Sequence, residues 1–77
     1  MLLERVRALV PSMSPAHAAV AGVVLANPRG VVRMTVSDLA AVSRSSVGSV
    51  VRFCKDLGYR GFHDFKLQLA TEASPAA

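Results

Sequence analysis

From Val47 to Leu57, apolar residues follow the repeat of an amphipathic α-helix without a gap. The positions on this repeat are Val47, Val50, Val51, Cys54 and Leu57. Residues three and four apart share one face of a helix, and an apolar face of this width has to be buried against other elements. Gly58 follows directly, and glycine commonly ends a helix by adopting a left-handed conformation. The spacing therefore predicts a helix of about three turns, with one buried face and one polar face.

A shorter helix and a polar turn precede this segment. Thr35 and Asp38 have the spacing of a capping box in which Asp replaces the usual Glu or Gln, and they predict a helix over residues 36–42. Residues 43–46 form a polar break whose serines are placed to cap the following helix. A short helix, a turn and a second amphipathic helix together make a helix-turn-helix, here over residues 36–57.

Three further helices are predicted outside this unit. Pro11 ends an amphipathic first helix, and a second helix begins at Pro15, because proline is tolerated in the first helical turn. The cluster Asn-Pro-Arg-Gly at residues 27–30 stops the second helix, and a short apolar connector follows it. The last helix begins near Phe62 and fades by residue 70.

These elements lead to one fold class. Hydrophobic residues make up 52% of the chain but only four residues are aromatic, so Val, Leu and Ala must form most of the core, which suits closely packed helices. A chain of 77 residues is long enough for a single domain of this kind. We therefore expect an all-α fold over residues 1–70, a compact bundle of about five helices containing the helix-turn-helix, with a linker-like tail over residues 71–77.

Five of the nine basic residues lie in the second half of the chain. The formal net charge is +4, which permits contact with an anionic polymer. The basic residues of the second half are Arg44, Arg52, Lys55, Arg60 and Lys66. All of them fall within or near the predicted helix-turn-helix, so the charge and the motif coincide.

Several other function classes lack the residues that they need. Cys54 is the single cysteine and has neither a disulfide partner nor the companions of a zinc site, so we expect no metal and no cofactor. His17 and His63 have no carboxylate or cysteine at ligand or triad spacing, His17 is expected on a helix surface, and no catalytic constellation is present. We therefore expect that the protein is not an enzyme. The chain also shows neither an apolar run long enough for a membrane span nor a signal peptide, which predicts a cytoplasmic location.

The polar face of the predicted helix at residues 47–57 carries candidate DNA contacts. Gly48 and Ser49 are small and allow close approach to base edges, and Arg52 is placed to reach guanine O6 and N7 with two hydrogen bonds, or a phosphate. The hydroxyls of Ser45 and Ser46 offer donors to a phosphate oxygen. With the neighbouring cations, the predicted DNA-binding set is Arg44, Ser45, Ser46, Gly48, Ser49, Arg52, Lys55 and Arg60.

A protein-interaction module without DNA binding is the alternative that the pattern leaves open. The first helix presents an apolar stripe wide enough to dimerise or to dock on a partner protein. That stripe consists of Leu2, Leu3, Val6, Leu9 and Val10. Gly58 and Gly61 also match the GxxG loop of KH domains, but that fold needs strands and none is predicted. Salt-dependent DNA binding distinguishes the DNA reader from the interaction module.

Residues 49–66 read Ser-Val-Val-Arg-Phe-Cys-Lys-Asp-Leu-Gly-Tyr-Arg-Gly-Phe-His-Asp-Phe-Lys. This run, and less specifically the chain to about residue 70, resembles the N-terminal helix-turn-helix domain of the RpiR family of bacterial transcription regulators. The resemblance implies sequence-specific binding of double-stranded DNA, with the helix at about residues 47–57 in the major groove, and a homodimer. It also implies that a phosphosugar effector acts only through a C-terminal sugar isomerase-type domain absent from this chain.

The turn before this helix departs from the family pattern. Where members usually have Ala-Gly-Val-Ser, this chain has Ser-Arg-Ser-Ser at residues 43–46, so that Arg44 replaces the turn glycine and Ser45 the apolar residue after it. An arginine in the left-handed conformation costs about 1 kcal/mol relative to glycine, although it adds a positive charge beside the DNA. We therefore expect a turn that is slightly strained or reshaped.

Overall fold

Six α-helices and one short 3-10 turn form the regular structure of residues 1–73, the part of the chain that the computed structural model describes. The helices are α1 (Leu2–Leu9), α2 (Pro15–Ala26), α3 (Pro28–Val32), α4 (Val36–Val42), α5 (Val47–Asp56) and α6 (Phe62–Ala73), and the 3-10 turn is Val10–Ser12. No strand occurs within these residues, which confirms the all-α fold and excludes the KH fold. None of the six helices is both long and apolar enough to cross a membrane.

Side-chain caps begin four of the helices, and each cap joins residues three apart. The side chains of Ser14, Asn27, Thr35 and Ser46 accept hydrogen bonds at 3.0 to 3.3 Å from the N–H group three residues on. The N–H of Thr35 also donates to Asp38 Oδ2 at 3.1 Å, which completes the predicted capping box. A cap of this kind contributes about 1 kcal/mol. The starts of α2, α4 and α5 are therefore where the sequence predicts them.

The cluster at residues 27–30 both ends α2 and begins α3. The N–H of Asn27 donates to the Val23 carbonyl at 3.0 Å, which closes α2, while its side-chain Oδ1 accepts from the N–H of Gly30 at 3.1 Å. Pro28 occupies the first position of α3, where its missing N–H costs nothing. The connector expected after this cluster is therefore partly helical, and the bundle has six helices where about five were predicted.

All six helices contribute side chains to one core. Its largest fully buried side chains are Phe53, Phe65, Leu39, Leu69, Val6, Val20, Val24, Val31, Val50 and Cys54. The rings of Phe53 in α5 and Phe65 in α6 meet edge to face, with centroids 5.7 Å apart. Full burial of an apolar side chain of this size stabilises the fold by roughly 1.5 to 3 kcal/mol. The aromatic pair therefore holds the last two helices together.

The buried face of α5 differs from the predicted one. Val47 is 43% exposed and Val51 is half-buried, although both belong to the predicted apolar stripe. The residues of this segment that are buried are Val50, Phe53, Cys54 and Leu57. This second set obeys the same spacing of three and four residues, and it turns the large Phe53 ring inward where α5 packs against α2, α4 and α6. The predicted stripe and the buried set share three residues, and packing between the helices decided that the set with Phe53 is the buried one.

The carboxylate of Glu72 joins the two ends of the described chain. It accepts hydrogen bonds from the N–H groups of Leu2 at 2.6 Å and Leu3 at 3.1 Å, and from the Gln68 amide at 3.1 Å. N–H groups in the first turn of a helix have no partner within it, so Glu72 caps α1 from α6. Residues 71–73, predicted as part of the tail, are thus the end of α6. The predicted tail residues 74–77 lie outside the described part of the chain.

Candidate nucleic-acid interface

α4 ends in a left-handed turn that leads into α5. The N–H of Ser45 donates to the Ala40 carbonyl at 2.8 Å and that of Arg44 to the Ala41 carbonyl at 3.1 Å, which is the pattern of a Schellman motif. The buried Ser43 hydroxyl donates to the carbonyl of Leu39 at 2.7 Å. These bonds satisfy carbonyls at the end of α4 and direct the chain into α5.

Arg44 occupies the left-handed position of this motif, with φ of 56°. α5 ends in the same motif, in which Gly58 has φ of 97° and the N–H of Tyr59 donates to the Cys54 carbonyl at 3.1 Å. Glycine adopts this conformation without a steric penalty, whereas arginine pays about 1 kcal/mol. The turn therefore keeps its left-handed geometry although arginine replaces glycine, and the strain expected from the sequence falls on Arg44. The side chain of Arg44 is exposed.

The serines of the turn already have partners within the domain. The half-buried Ser45 donates its hydroxyl to the Ala16 carbonyl of α2 at 3.3 Å, which ties the turn to that helix. The Ser46 oxygen accepts from the N–H of Ser49, and the two serine hydroxyls lie 3.0 Å apart. The Ser45 hydroxyl, predicted as a phosphate donor, is therefore engaged in the free domain, whereas the Ser46 and Ser49 hydroxyls are hydrogen-bonded to each other near the surface.

Three exposed residues lie on the side of α5 opposite the core. Gly48, Arg52 and Lys55 have the spacing i, i+4, i+7, and all three are exposed. We refer to these three residues as the outer face of α5. A Cβ placed on Gly48 would meet only the Ser46 Oγ, at 3.8 Å, so the packing of the domain does not require a glycine there. The outer face is thus open at its N-terminal end and basic further along.

The four basic residues of the predicted binding set are available to a ligand. The side chains of Arg44, Arg52, Lys55 and Arg60 are exposed, and within residues 1–73 no protein hydrogen bond or ion pair engages them. Lys66 differs, because its ammonium donates to the Met34 carbonyl at 2.7 Å and lies 5.2 Å from the centre of the Phe62 ring. Lys66 therefore belongs to the packing of the bundle, although the sequence groups it with the other basic residues of the second half.

The acidic residue of α5 is engaged by another helix. Asp56 lies with its Oδ2 3.5 Å from the Nδ1 of His17, whose ring also meets the edge of Phe53 at a centroid distance of 6.2 Å. The His17 side chain is only 17% exposed, so the expectation of a surface histidine is wrong. The two residues lie in different helices, far apart in sequence, and no local spacing signals their contact. The pair holds the start of α2 against the end of α5.

Cys54, the single cysteine of the chain, is buried. Burial raises the pKa of the Cys54 thiol to about 12, so the sulfur stays protonated and acts as a small apolar side chain. Within residues 1–73, no three His, Cys, Asp or Glu side chains are grouped to hold a metal ion.

The apolar stripe of α1 is not available to a partner protein. Leu2 and Val6 are core residues with exposures of 2% and 0%, and Leu3 and Val10 are half-buried against the core. Of the predicted stripe, only Leu9 is exposed. The stripe therefore packs within the domain, which removes the observation on which the interaction-module alternative depended.

Comparison with known proteins gives one family. Residues 1–76 match the model of the family described as "Helix-turn-helix domain, rpiR family". The bifunctional protein glk of Paraburkholderia xenovorans is 39% identical over 70 residues, which are 91% of this chain and 11% of that protein. The HTH-type transcriptional regulator YbbH of Bacillus subtilis is 32% identical over 68 residues, which are 88% of this chain and 24% of that protein. The chain thus spans a small part of these relatives, and the match to glk covers only the helix-turn-helix region.

Two solved structures have the same backbone fold. The Vibrio vulnificus NanR protein, complexed with ManNAc-6P, superposes with a TM-score of 0.90 at 38% identity, over 94% of this chain and 28% of NanR. The crystal structure of the N-terminal domain of ybbH from Bacillus subtilis superposes with a TM-score of 0.84 at 32% identity. That match covers 88% of this chain and 83% of the ybbH domain, so the two are similar over nearly their whole lengths.

Proposed function

Because this chain belongs to the rpiR family of helix-turn-helix domains, we propose that α5 is its recognition helix and that the outer face of α5 enters the major groove. We propose that the chain is the DNA-binding domain of a transcription regulator, which its family and its regulator relatives support. The matched family is a helix-turn-helix domain and not an enzyme family, and we assign no catalytic step to these residues.

The outer face of α5 carries this proposal, because its cations are exposed and unengaged. The guanidinium of Arg52 can donate two hydrogen bonds to guanine O6 and N7, and the missing side chain of Gly48 leaves room for a base edge beside it. Lys55, one turn further along, is a point charge suited to a phosphate. A basic face with one bidentate donor and an open end is the arrangement that combines affinity with sequence reading.

The cations at the two ends of α5 extend this surface. Arg44 precedes α5 and Arg60 follows it, and a helix of ten residues is about 15 Å long, close to the major-groove width of about 12 Å. We propose that these two side chains bind phosphates on either side of the groove. The hydroxyls of Ser46 and Ser49 exchange their mutual hydrogen bond for one to a phosphate oxygen. Ser45 contributes through its bond to α2, which positions the turn.

The arrangement of the whole regulator is part of the proposal. A single recognition helix reads one stretch of major groove, and regulators reach two half-sites by pairing across a two-fold axis, so we propose a homodimer that acts in the cytoplasm on double-stranded DNA. Leu2 and Val6 of α1 are buried in the core of the domain, so we propose that the pairing uses other surfaces. NanR was solved with a phosphosugar, and we propose that an effector of this class acts through a C-terminal domain outside these residues.

Selection from a random duplex library, measured at two salt concentrations, tests the DNA-binding proposal. One sequence motif should be enriched, and each phosphate contact should contribute about −0.9 to the slope of log affinity against log salt. The variant Arg7→Ala removes an exposed cation from α1 and serves as the control, with an unchanged slope. No enriched sequence and no salt-dependent affinity would instead favour a protein-interaction module without DNA binding.

A further inference from the structure

Val47 is an exposed apolar side chain in the first turn of α5. It follows the same spacing as buried residues of this helix, yet it is 43% exposed, whereas Val50 and Cys54 are 0% exposed. A valine in this position contributes little to the core and leaves apolar surface in water. Burial of that surface against a bound molecule is therefore favourable.

The surroundings of Val47 are open to a flat molecule. The next residue is Gly48, and a Cβ at that position would have only the Ser46 Oγ within 4 Å, at 3.8 Å. A base edge can therefore approach the helix backbone at this point and reach the valine methyl groups. The β-branched side chain is also restricted at χ1, so little conformational entropy is lost on contact.

The chemistry of the major groove selects one partner for such a side chain. Valine carries no side-chain hydrogen-bond donor or acceptor, and it gains nothing from a phosphate or from a polar base edge. The apolar group that the major groove displays is the C5 methyl group of thymine. We propose that Val47 reads a thymine by packing its methyl groups against that C5 methyl group. This inference rests on the proposed function, in which the outer face of α5 enters the major groove with a base edge beside Gly48, the residue next to Val47.

Deoxyuridine provides the test, because it differs from thymine only by the missing C5 methyl group. In the duplex selected from the random library, each thymine is replaced in turn by deoxyuridine and the affinity of the 77-residue chain is measured. The wild-type chain should lose affinity about fourfold at one thymine of each half-site, as expected for one methyl group removed from a buried contact. The variant Val47→Ala should bind the thymine and deoxyuridine duplexes equally at that position.

A second exposed valine provides the matched control. Val42, at the end of α4, is 54% exposed, and Val42→Ala should keep the wild-type ratio between the thymine and deoxyuridine duplexes. Both variants should keep the wild-type unfolding midpoint, because exposed apolar side chains contribute little to stability. The salt dependence of Val47→Ala should also be unchanged, since no charge is removed.

Two results would overturn the assignment of Val47. One is a wild-type chain that binds thymine and deoxyuridine equally at every position, and the other is a Val47→Ala variant that keeps the full discrimination. Failure of the proposed function is recognisably different, because no sequence would be enriched from the library and Arg52→Ala would bind like the wild type. That outcome would remove the thymine contact as well.

Discussion

Two sets of basic side chains are chemically alike but have different partners. One set donates to backbone carbonyls within the helix bundle, and the other surrounds α5. In the bundle, Arg5 donates to the Leu57 carbonyl, Arg29 to the Ala73 carbonyl and Lys66 to the Met34 carbonyl. These carbonyls lie at or just after the C-terminal ends of α5, α6 and α3, where unpaired carbonyls and the helix dipole attract positive charge. Around α5, the exposed residues Arg44, Arg52, Lys55 and Arg60 have no such partner within the described residues.

This difference separates stability from binding. A cation that can reach a helix end satisfies a carbonyl and becomes part of the packing, whereas a cation that projects opposite the core remains free for a phosphate or a base. The residue type and the position in the sequence do not distinguish the two cases. Variants of the two sets should therefore affect different measurements.

Arg52→Ala should weaken specific DNA binding by roughly 1 to 3 kcal/mol, because it removes a bidentate base contact or a phosphate contact. Its free energy of unfolding should stay within about 0.5 kcal/mol of the wild type, since the side chain is exposed. Fluorescence anisotropy with the selected duplex and urea denaturation measure the two quantities. An unchanged affinity would show that Arg52 lies outside the DNA interface.

Glu72→Ala should lower the free energy of unfolding by roughly 1 to 2 kcal/mol, because it leaves the N–H groups of Leu2 and Leu3 without their capping carboxylate. Burial acts to raise the pKa of Glu72, but the hydrogen bonds from Leu2, Leu3 and Gln68, with the charge of the amino terminus, outweigh it and lower the pKa below 4.5. The contribution of Glu72 to the free energy of unfolding is therefore complete above pH 4.5. It is lost as the pH falls through the lowered pKa of the folded state.

Urea denaturation at several pH values checks the role of Glu72. Glu72→Gln should depend less on pH than the wild type in the acid range, because it lacks the titrating group. Equal pH dependence of the two proteins would show that this carboxylate does not couple the chain ends to stability. Affinity for DNA, measured near neutral pH, should be the same for both.

Lys55→Ala and Lys66→Ala form a matched pair from the two sets. Lys66→Ala should destabilise the fold by about 1 kcal/mol, because the Met34 carbonyl loses its donor, and should leave the salt slope of DNA binding unchanged. Lys55→Ala should keep the stability and reduce the salt slope by about one unit. If the two substitutions exchanged these effects, the division between packing and binding cations would be wrong.

Arg44→Gly should have the smallest effect. It should raise the stability of the fold and weaken the salt dependence of DNA binding. Relief of the left-handed strain should stabilise the fold by about 0.5 to 1 kcal/mol, since the flexibility of glycine in the unfolded chain offsets part of the gain. Loss of the charge should reduce the salt slope by about one unit. Gly58→Ala is the comparison at the end of α5 and should destabilise the fold without changing the salt slope. A destabilised Arg44→Gly variant would argue against strain in the turn.

Sequence patterns located the helices and the helix-turn-helix because the relevant hydrogen bonds are local. The caps at Thr35 and Ser46 join atoms three residues apart, and the left-handed turns at Arg44 and Gly58 depend on the residues beside them. The family-like run at residues 49–66 also pointed to the family that the comparisons show. Composition alone indicated a core of aliphatic side chains.

Tertiary structure decided the features that depend on how the helices are rotated and which ends meet. Packing turned Phe53 inward and left Val47 exposed, although two overlapping stripes had the same spacing. It also brought Glu72 to the start of α1, His17 to Asp56 and Lys66 to Met34. Each of these contacts joins residues in separate elements, where neither spacing nor residue type identifies the partner. The sequence itself therefore determined the local hydrogen bonds. Packing in three dimensions decided which face of α5 is buried, which cations stay free and how Glu72 joins the two ends of the described chain.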